Sequence, residues 1–254
     1  MSEFEQRPQA QDPGPEHETE GSAAPFMERL VYIFTDPVRV FQGLADTPKW
    51  VGAFLVVLLF NIVSTQATYP LIQETQQQQI RARSDLSQEQ IEQMEESMAA
   101  FSGTTGRLIS TGAVTFGTLI VMLVVAGVMM FGCSFILGGE GRFPDVLAVT
   151  THAYLPQAIA GTAVTVPLML AKGSMFVSTG LNVLLPPDQW QTPLGILLGA
   201  VSIFNIWTIA LLIIGLSVIY RFSRGKAAWV VIGSYAVYLG LRMLVAQFTS
   251  GFMG

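Results

Sequence analysis

Four long runs without charge, and a fifth with a single charge, limit what this chain can fold into. No Asp, Glu, Lys or Arg occurs between Trp50 and Gln73, Leu108 and Leu137, Val146 and Ala171, or Leu194 and Tyr220. A fifth run, from Ala227, meets only Arg242 before Phe248. A bilayer crossing needs roughly 20 mainly apolar residues, and each run supplies that. In hydrocarbon, backbone N–H and C=O groups must pair within the chain, so such runs become helices or a closed barrel. The expected fold class is all-α: a polytopic membrane protein with a bundle of five transmembrane helices. The spans fall at about 50–69, 108–137, 146–170, 194–219 and 227–248.

Composition agrees. Charged residues make up 12% of the chain, about half the share of an ordinary soluble domain. The net charge of −5 is concentrated in two places. Glu3, Glu5, Asp12, Glu16, Glu18 and Glu20 crowd the start, and a second cluster lies from Asp85 to Glu96. No basic patch is present, so nucleic acid is not an expected partner. Cys133 is the only cysteine, which leaves no internal disulfide and no thiolate pair for a metal.

Residues 1–24 are polar, acidic and broken by Pro8, Pro13, Gly14 and Pro15. They bury too little apolar surface to offset ordering, so a disordered acidic tail is expected. There is no basic stretch followed by a short apolar core, hence no expected cleavable signal peptide. Residues 25–49 read as an interfacial amphipathic segment. Phe26, Leu30, Ile33 and Phe34 share one helical face, and Val38, Phe41 and Leu44 continue the pattern after Pro37. Arg29 and Arg39 would then face anionic lipid.

Lysine and arginine near the span ends set orientation. Arg29, Arg39, Lys49, Arg142, Arg221, Arg224 and Lys226 fall on the N-terminal side, against Arg81, Arg83, Arg107 and Lys172 on the other. The expectation is a cytoplasmic N-terminus and an external C-terminus. Between spans one and two, residues 71–104 form an extramembrane helical insert. Ser87 and Gln90 match a capping box. Ile91, Met94, Met98 and Phe101 then share one face, with Glu92, Glu95 and Glu96 opposite.

No Walker loop, HExxH, nucleophile elbow or CxxC occurs, so no catalytic residue, cofactor or metal site is expected. Polar groups inside spans are costly, and they are the remaining candidates for function. Asn61 and Gln66 lie in span one, and Gln247 lies in span five. The candidate intramembrane polar site is His152, Gln157, Asn205 and Arg242. Each has a plain structural alternative. Asn, Gln and His commonly hydrogen-bond between helices, and Arg242 can reach outward along its stem. Pro156 lacks the donor that would meet the His152 carbonyl, so a kink is expected near Thr151 and His152. Gly195 with Gly199, and Ala236 with Gly240, have the spacing of close helix approach.

Three stretches carry a likeness to a known family: "DPVRVFQGLADTPKW" before span one, "GGEGRFPDVLAVTTHAYLPQAIAG" through span three, and "FNIWTIALLIIGLSVIYRFSRGKA" through span four. In order and spacing they resemble a Yip1-domain protein of bacterial type. The family-like positions include Gly138, Gly139, Phe143, Tyr154, Pro156, Asn205, Trp207 and Gly215. The resemblance implies a five-helix membrane domain with a cytosolic N-terminus, and brings no catalytic residues. Eukaryotic members act in vesicle traffic and contact small prenylated GTPases. The expected function is a non-enzymatic scaffold, membrane-organising or lipid-related role in a bacterial inner membrane. The alternative is a small transporter or channel using the intramembrane polar residues. Membrane lipid is the expected partner, together with other membrane proteins or a second copy.

Overall fold

The computed structural model describes residues 25–83, 86–100 and 103–252. The expected disordered tail, residues 1–24, lies outside them. Among the described residues all regular structure is helical, apart from one isolated bridge between Gly180 and Ser202.

Two short helices come first, α1 (Phe26–Thr35) and α2 (Pro37–Asp46). Asp36 separates them. Its side chain accepts from the Arg39 N–H and so caps α2, while Pro37 sits where no N–H is needed. α3 (Val51–Arg81) follows with 31 residues. At 1.5 Å per residue it measures about 46 Å, half as long again as a bilayer core of about 30 Å. Its surplus is the polar Gln73–Arg81 end, which projects beyond hydrocarbon. There α4 (Gln88–Ala100) folds back. Gln90 Oε1 accepts from the Ser87 N–H at 2.9 Å, and the Gln90 N–H donates to Ser87 Oγ at 3.3 Å. An Arg81–Glu95 ion pair at 2.6 Å ties α4 to α3.

α5 (Gly103–Met130) widens into a π-helical end at Phe131–Ile136. Gly138 ends it with φ +67, a left-handed conformation open to glycine without strain. Gly139 makes a close approach. A Cβ there would stand 2.5 Å from Phe222, 2.7 Å from Tyr220 and 3.0 Å from the Cys133 carbonyl oxygen. The next crossing starts as α6 (Phe143–Ala153), passes through a π-helical turn at Gln157–Gly161 and ends as α7 (Thr162–Lys172). The interruption expected near Thr151 and His152 falls a little later, at Tyr154 and after Pro156. The chain absorbs the lost hydrogen bond by widening the following turn.

The expected fourth span, 194–219, is divided. α8 (Pro193–Ala200) stops, Val201 and Ser202 are extended or irregular, and α9 (Ile203–Ile219) begins with Ser202 as its cap. The break is held from outside by the loop after α7. Gly180 bridges Ser202, and the Leu181 N–H donates to Val201. The Gly195–Gly199 pair serves this loop rather than a second helix. A Cβ at Gly195 would meet the Gln189 carbonyl at 2.2 Å, and one at Gly199 would meet Asn182 at 3.3 Å. Gly240 has open space around its Cβ position. α10 (Arg224–Phe252) completes the bundle.

Four helical crossings are long and apolar enough to span a membrane: 51–81, 103–136, 143–172 and 224–248. α9 is a shorter apolar helix of 17 residues. The chain is thus a polytopic helical membrane protein. Exposed apolar side chains such as Phe116, Ile120, Val124, Trp229, Val237 and Leu241 are the outer faces that lipid would cover.

The core lies where α6 and α9 run antiparallel. Val149 lies against Gly215 at one level and Gly161 faces Phe204 at another. α2 fills the groove between them. Phe34, at its entry, meets Trp207 edge-on at 5.4 Å; Phe41 lies against Gly215; and Ala45 shares a cavity wall with Ile219. α2 therefore runs parallel to α9 for about three turns. Val40, Phe41 and Leu44 are buried in the common core. This differs from the sequence expectation of a segment on the bundle surface with Arg29 turned to lipid. Arg29 is only 5% exposed. It lies three residues after Phe26 and four before Ile33, on the apolar stripe of α1, and goes inside with it.

Candidate functional site

The polar residues expected inside the spans are not gathered in one place. Arg242 is exposed on α10, as its long stem allows. Asn205 is occupied locally. Its side-chain amide donates to the Ala200 carbonyl at 3.3 Å, and its backbone N–H donates to Ser202 Oγ at 3.2 Å. It stitches the ends of α8 and α9 across the break. Asn61 and Gln66 bridge α3 to α5. Asn61 donates to Thr118 at 3.4 Å, and Gln66 donates to Thr111 at 2.8 Å and to the Arg107 carbonyl at 3.3 Å. These are helix-to-helix ties of the ordinary kind.

His152 and Gln157 remain, five residues apart on the same crossing. His152 is fully buried. Its Nδ1 lies 2.8 Å from the Ala148 carbonyl oxygen one turn back. A carbonyl only accepts, so Nδ1 carries the hydrogen and Nε2 of the neutral ring presents a lone pair. That Nε2 is buried without a partner. Gln157 opens the π-helical turn, and its Oε1 is buried without a partner too. The contacts of Val149 with Gly215 and Gly161 with Phe204 put Gln157 level with Thr208 and His152 level with Leu212 along the crossing. Thr208 Oγ1 is again buried and unpartnered. Arg29, on α1, is the fourth such residue: its Nε and Nη1 are buried without partners, and its guanidinium lies 5.7 Å from the Phe26 ring centroid. Burial pulls the Arg29 pKa below the ordinary arginine value.

The buried side-chain polar atoms left unpartnered among the described residues belong to four residues: Arg29, His152, Gln157 and Thr208. The sequence singled out two of the four. Arg29 could have been found by its place on the α1 apolar stripe. Thr208 gives no signal by itself, because a hydroxyl on an apolar helix usually bonds to its own backbone.

The family-like positions are packing positions. Trp207 takes the edge of Phe34, Tyr154 is half-buried against the core, Pro156 is buried before the π turn, and Phe143 packs at the start of α6. Beside Phe143, Arg142 and Asp145 pair at 2.9 Å and Asp145 also accepts from the Arg142 N–H. Two cavities lie elsewhere. One of about 440 Å³ sits under α4 among Tyr69, Gln73, Met98 and Ile109. The other, about 600 Å³, lies among Ala45, Ser134, Gly139, Glu140, Arg142 and Asp145. Neither is lined by His152, Gln157, Asn205 or Arg242. No group of three or more His, Cys, Asp or Glu among the described residues could hold a metal.

An all-helical, multi-pass bundle with a short helix pair wedged against its central crossings defines the class: an integral membrane protein. A family model for the Yip1 domain matches residues 31–245. The chain belongs to the Yip1-domain family, and the match takes in α2 through most of α10. Comparison with curated proteins and with solved structures finds no match.

Proposed function

We propose that this chain is a non-enzymatic membrane protein that organises the lipid and protein around it, with its N-terminus in the cytoplasm of a bacterial inner membrane. The observation that carries this reading is the tight closure of the central groove. Phe41 and Val149 press on Gly215 so closely that a methyl group there has no room. A pathway for solute would need an aqueous gap at that level. The polar candidates are also dispersed or self-satisfied, as Asn205 and Arg242 show. The family supplies no catalytic set, and none converges here.

The test is reconstitution. Full-length protein in sealed liposomes should leave solute and ion permeability at the level of protein-free vesicles. Co-isolated lipid and protein from native membranes should differ from those of an unrelated multi-pass control. A saturable solute flux that His152→Ala abolishes without changing thermal stability would refute the scaffold reading and favour transport.

A further inference from the structure

We propose that the cavity of about 600 Å³ between the end of α5 and the start of α6 binds an amino-phosphate zwitterion, with its phosphate on Arg142 and its ammonium on Glu140. The inference rests on the lipid-related part of the proposed function and names a ligand chemistry and a place for it. Ser134, Glu140, Arg142 and Asp145 all border this one space, and Met130 and Ile219 give it an apolar wall. Its level follows from the chain. The loop Gly138–Arg142 joins the charge-free runs that end at Leu137 and begin at Val146, so it lies at the edge of the hydrocarbon, where head groups are.

The lining suits a ligand that carries both signs of charge. Arg142 donates from Nε to Asp145 Oδ2 at 3.0 Å and from Nη2 to Asp145 Oδ1 at 2.9 Å. Asp145 is buried, so one side of the guanidinium is anchored to a fixed carboxylate. Nη1 has no partner among the described residues and is left to donate to a phosphate oxygen. The Ser134 and Tyr220 hydroxyls share one hydrogen bond. Whichever donates, the acceptor keeps its own hydrogen as a further donor to phosphate. Glu140 is exposed and makes no ion pair among the described residues. It stands two residues from Arg142, at most about 7 Å along the backbone, so a small zwitterion can meet both. The loop that carries them is held in place: a Cβ at Gly141 would stand 2.6 Å from the Tyr220 ring and 2.9 Å from its hydroxyl oxygen. Asp145 offsets Arg142, which leaves the charge of Glu140 to be met. A head group with phosphate and no cation would set like charges together. Ethanolamine phosphate supplies the missing cation, and it comes from two sources, phosphatidylethanolamine or soluble phosphoethanolamine.

The experiment uses the full chain, purified from membranes and exchanged with vesicles of equal phosphatidylethanolamine and phosphatidylglycerol. The two lipids share the phosphate and differ in the ammonium. Native mass spectrometry then reads the bound lipid. The wild type should retain phosphatidylethanolamine over phosphatidylglycerol by about threefold or more, the worth of one partly exposed ion pair. Glu140→Gln should abolish that preference and Glu140→Asp should keep part of it. Glu28→Gln should keep all of it, because Glu28 is exposed on α1 and does not line the cavity. Phosphoethanolamine in solution is the second arm. A rise in the wild-type melting temperature with this ester, lost in Glu140→Gln, with no lipid preference, supports the site and assigns it a soluble ligand. Equal retention of both lipids together with no response to the ester would overturn the proposal. A lipid preference unchanged in Glu140→Gln would overturn the site while sparing the wider lipid-related role. The first comparison uses only wild-type protein, so a misfolded variant does not remove the test.

Discussion

Gly215→Ala is the sharpest probe of the packed centre. The added methyl would stand 2.4 Å from Val149 Cγ1, 3.0 Å from Phe41 Cε1 and 3.1 Å from Phe41 Cδ1. Carbon atoms settle at about 3.5–4.0 Å, so the Val149 contact is short by more than 1 Å. Val149 cannot swing aside cheaply, because a β-branched residue in a helix has one strongly preferred rotamer. α6, α9 and α2 must therefore separate. Overpacking of this kind costs about 1–3 kcal/mol. Replacing glycine by alanine within a helix returns up to about 1 kcal/mol. The expected net loss is about 1–2 kcal/mol. Val149→Ala alone removes two methyl groups and costs roughly 1.5 kcal/mol on the same scale as buried methylenes. In the double variant the new methyl occupies the vacated space, so the two losses should not add. A coupling of about 1 kcal/mol or more is expected, measured by reversible unfolding in mixed detergent micelles with tryptophan fluorescence as the readout. Trp207, beside Phe34, reports the wedge directly. Additivity within about 0.5 kcal/mol, or a stabilised Gly215→Ala, would refute the three-way contact.

Other outcomes follow from single contacts. The Arg81 guanidinium holds the Glu95 carboxyl below the usual range; the pairing is present above the ordinary glutamate pKa and is lost as pH falls through the lowered value. Protection of α4 amides, taken relative to the intrinsic exchange rate at each pH, should therefore fall at acid pH, and Glu95→Gln should show that loss already at neutral pH. The Ser134 and Tyr220 hydroxyls lie 2.9 Å apart; Tyr220→Phe should lower stability by about 1 kcal/mol, seen as a lower melting temperature in detergent. Reporter fusions should place the terminus before α1 in the cytoplasm and the end of α10 outside, and two reporters on one side would contradict an odd number of crossings.

The spans were legible because hydrocarbon leaves so few backbone solutions. A run such as Leu108–Leu137 has no way to be other than helical there. The Ser87–Gln90 cap was legible for a local reason, since both bonds lie within four residues. What escaped depends on packing between distant segments. α2 has the amphipathic pattern of a surface helix, and nothing within it says that α6 and α9 leave a groove of its width. Gly215 makes that groove, 174 positions from the Phe41 ring that fills it. The division of the fourth crossing was hidden too. Leu194–Ile219 is apolar throughout, and the break at Val201 and Ser202 is imposed by a loop that begins before Pro193. His152 and Gln157 were visible as polar residues in an apolar run, whereas the burial of Arg29 required the fold.

The crossings differ in height, and a fluid bilayer must answer to that. The apolar part of α3, residues 51–72, rises about 33 Å, close to an average hydrocarbon core, whereas α9, the longer unbroken piece of the divided run, has 17 residues and rises about 25 Å. Lipid beside α9 therefore meets a shorter unbroken helix than lipid beside α3. Adjusting to such mismatch costs fractions of a kcal/mol per ångström, too little to expel the protein but enough to bias which lipids gather at each face. Shorter or more disordered chains are therefore the expected neighbours of the α9 side.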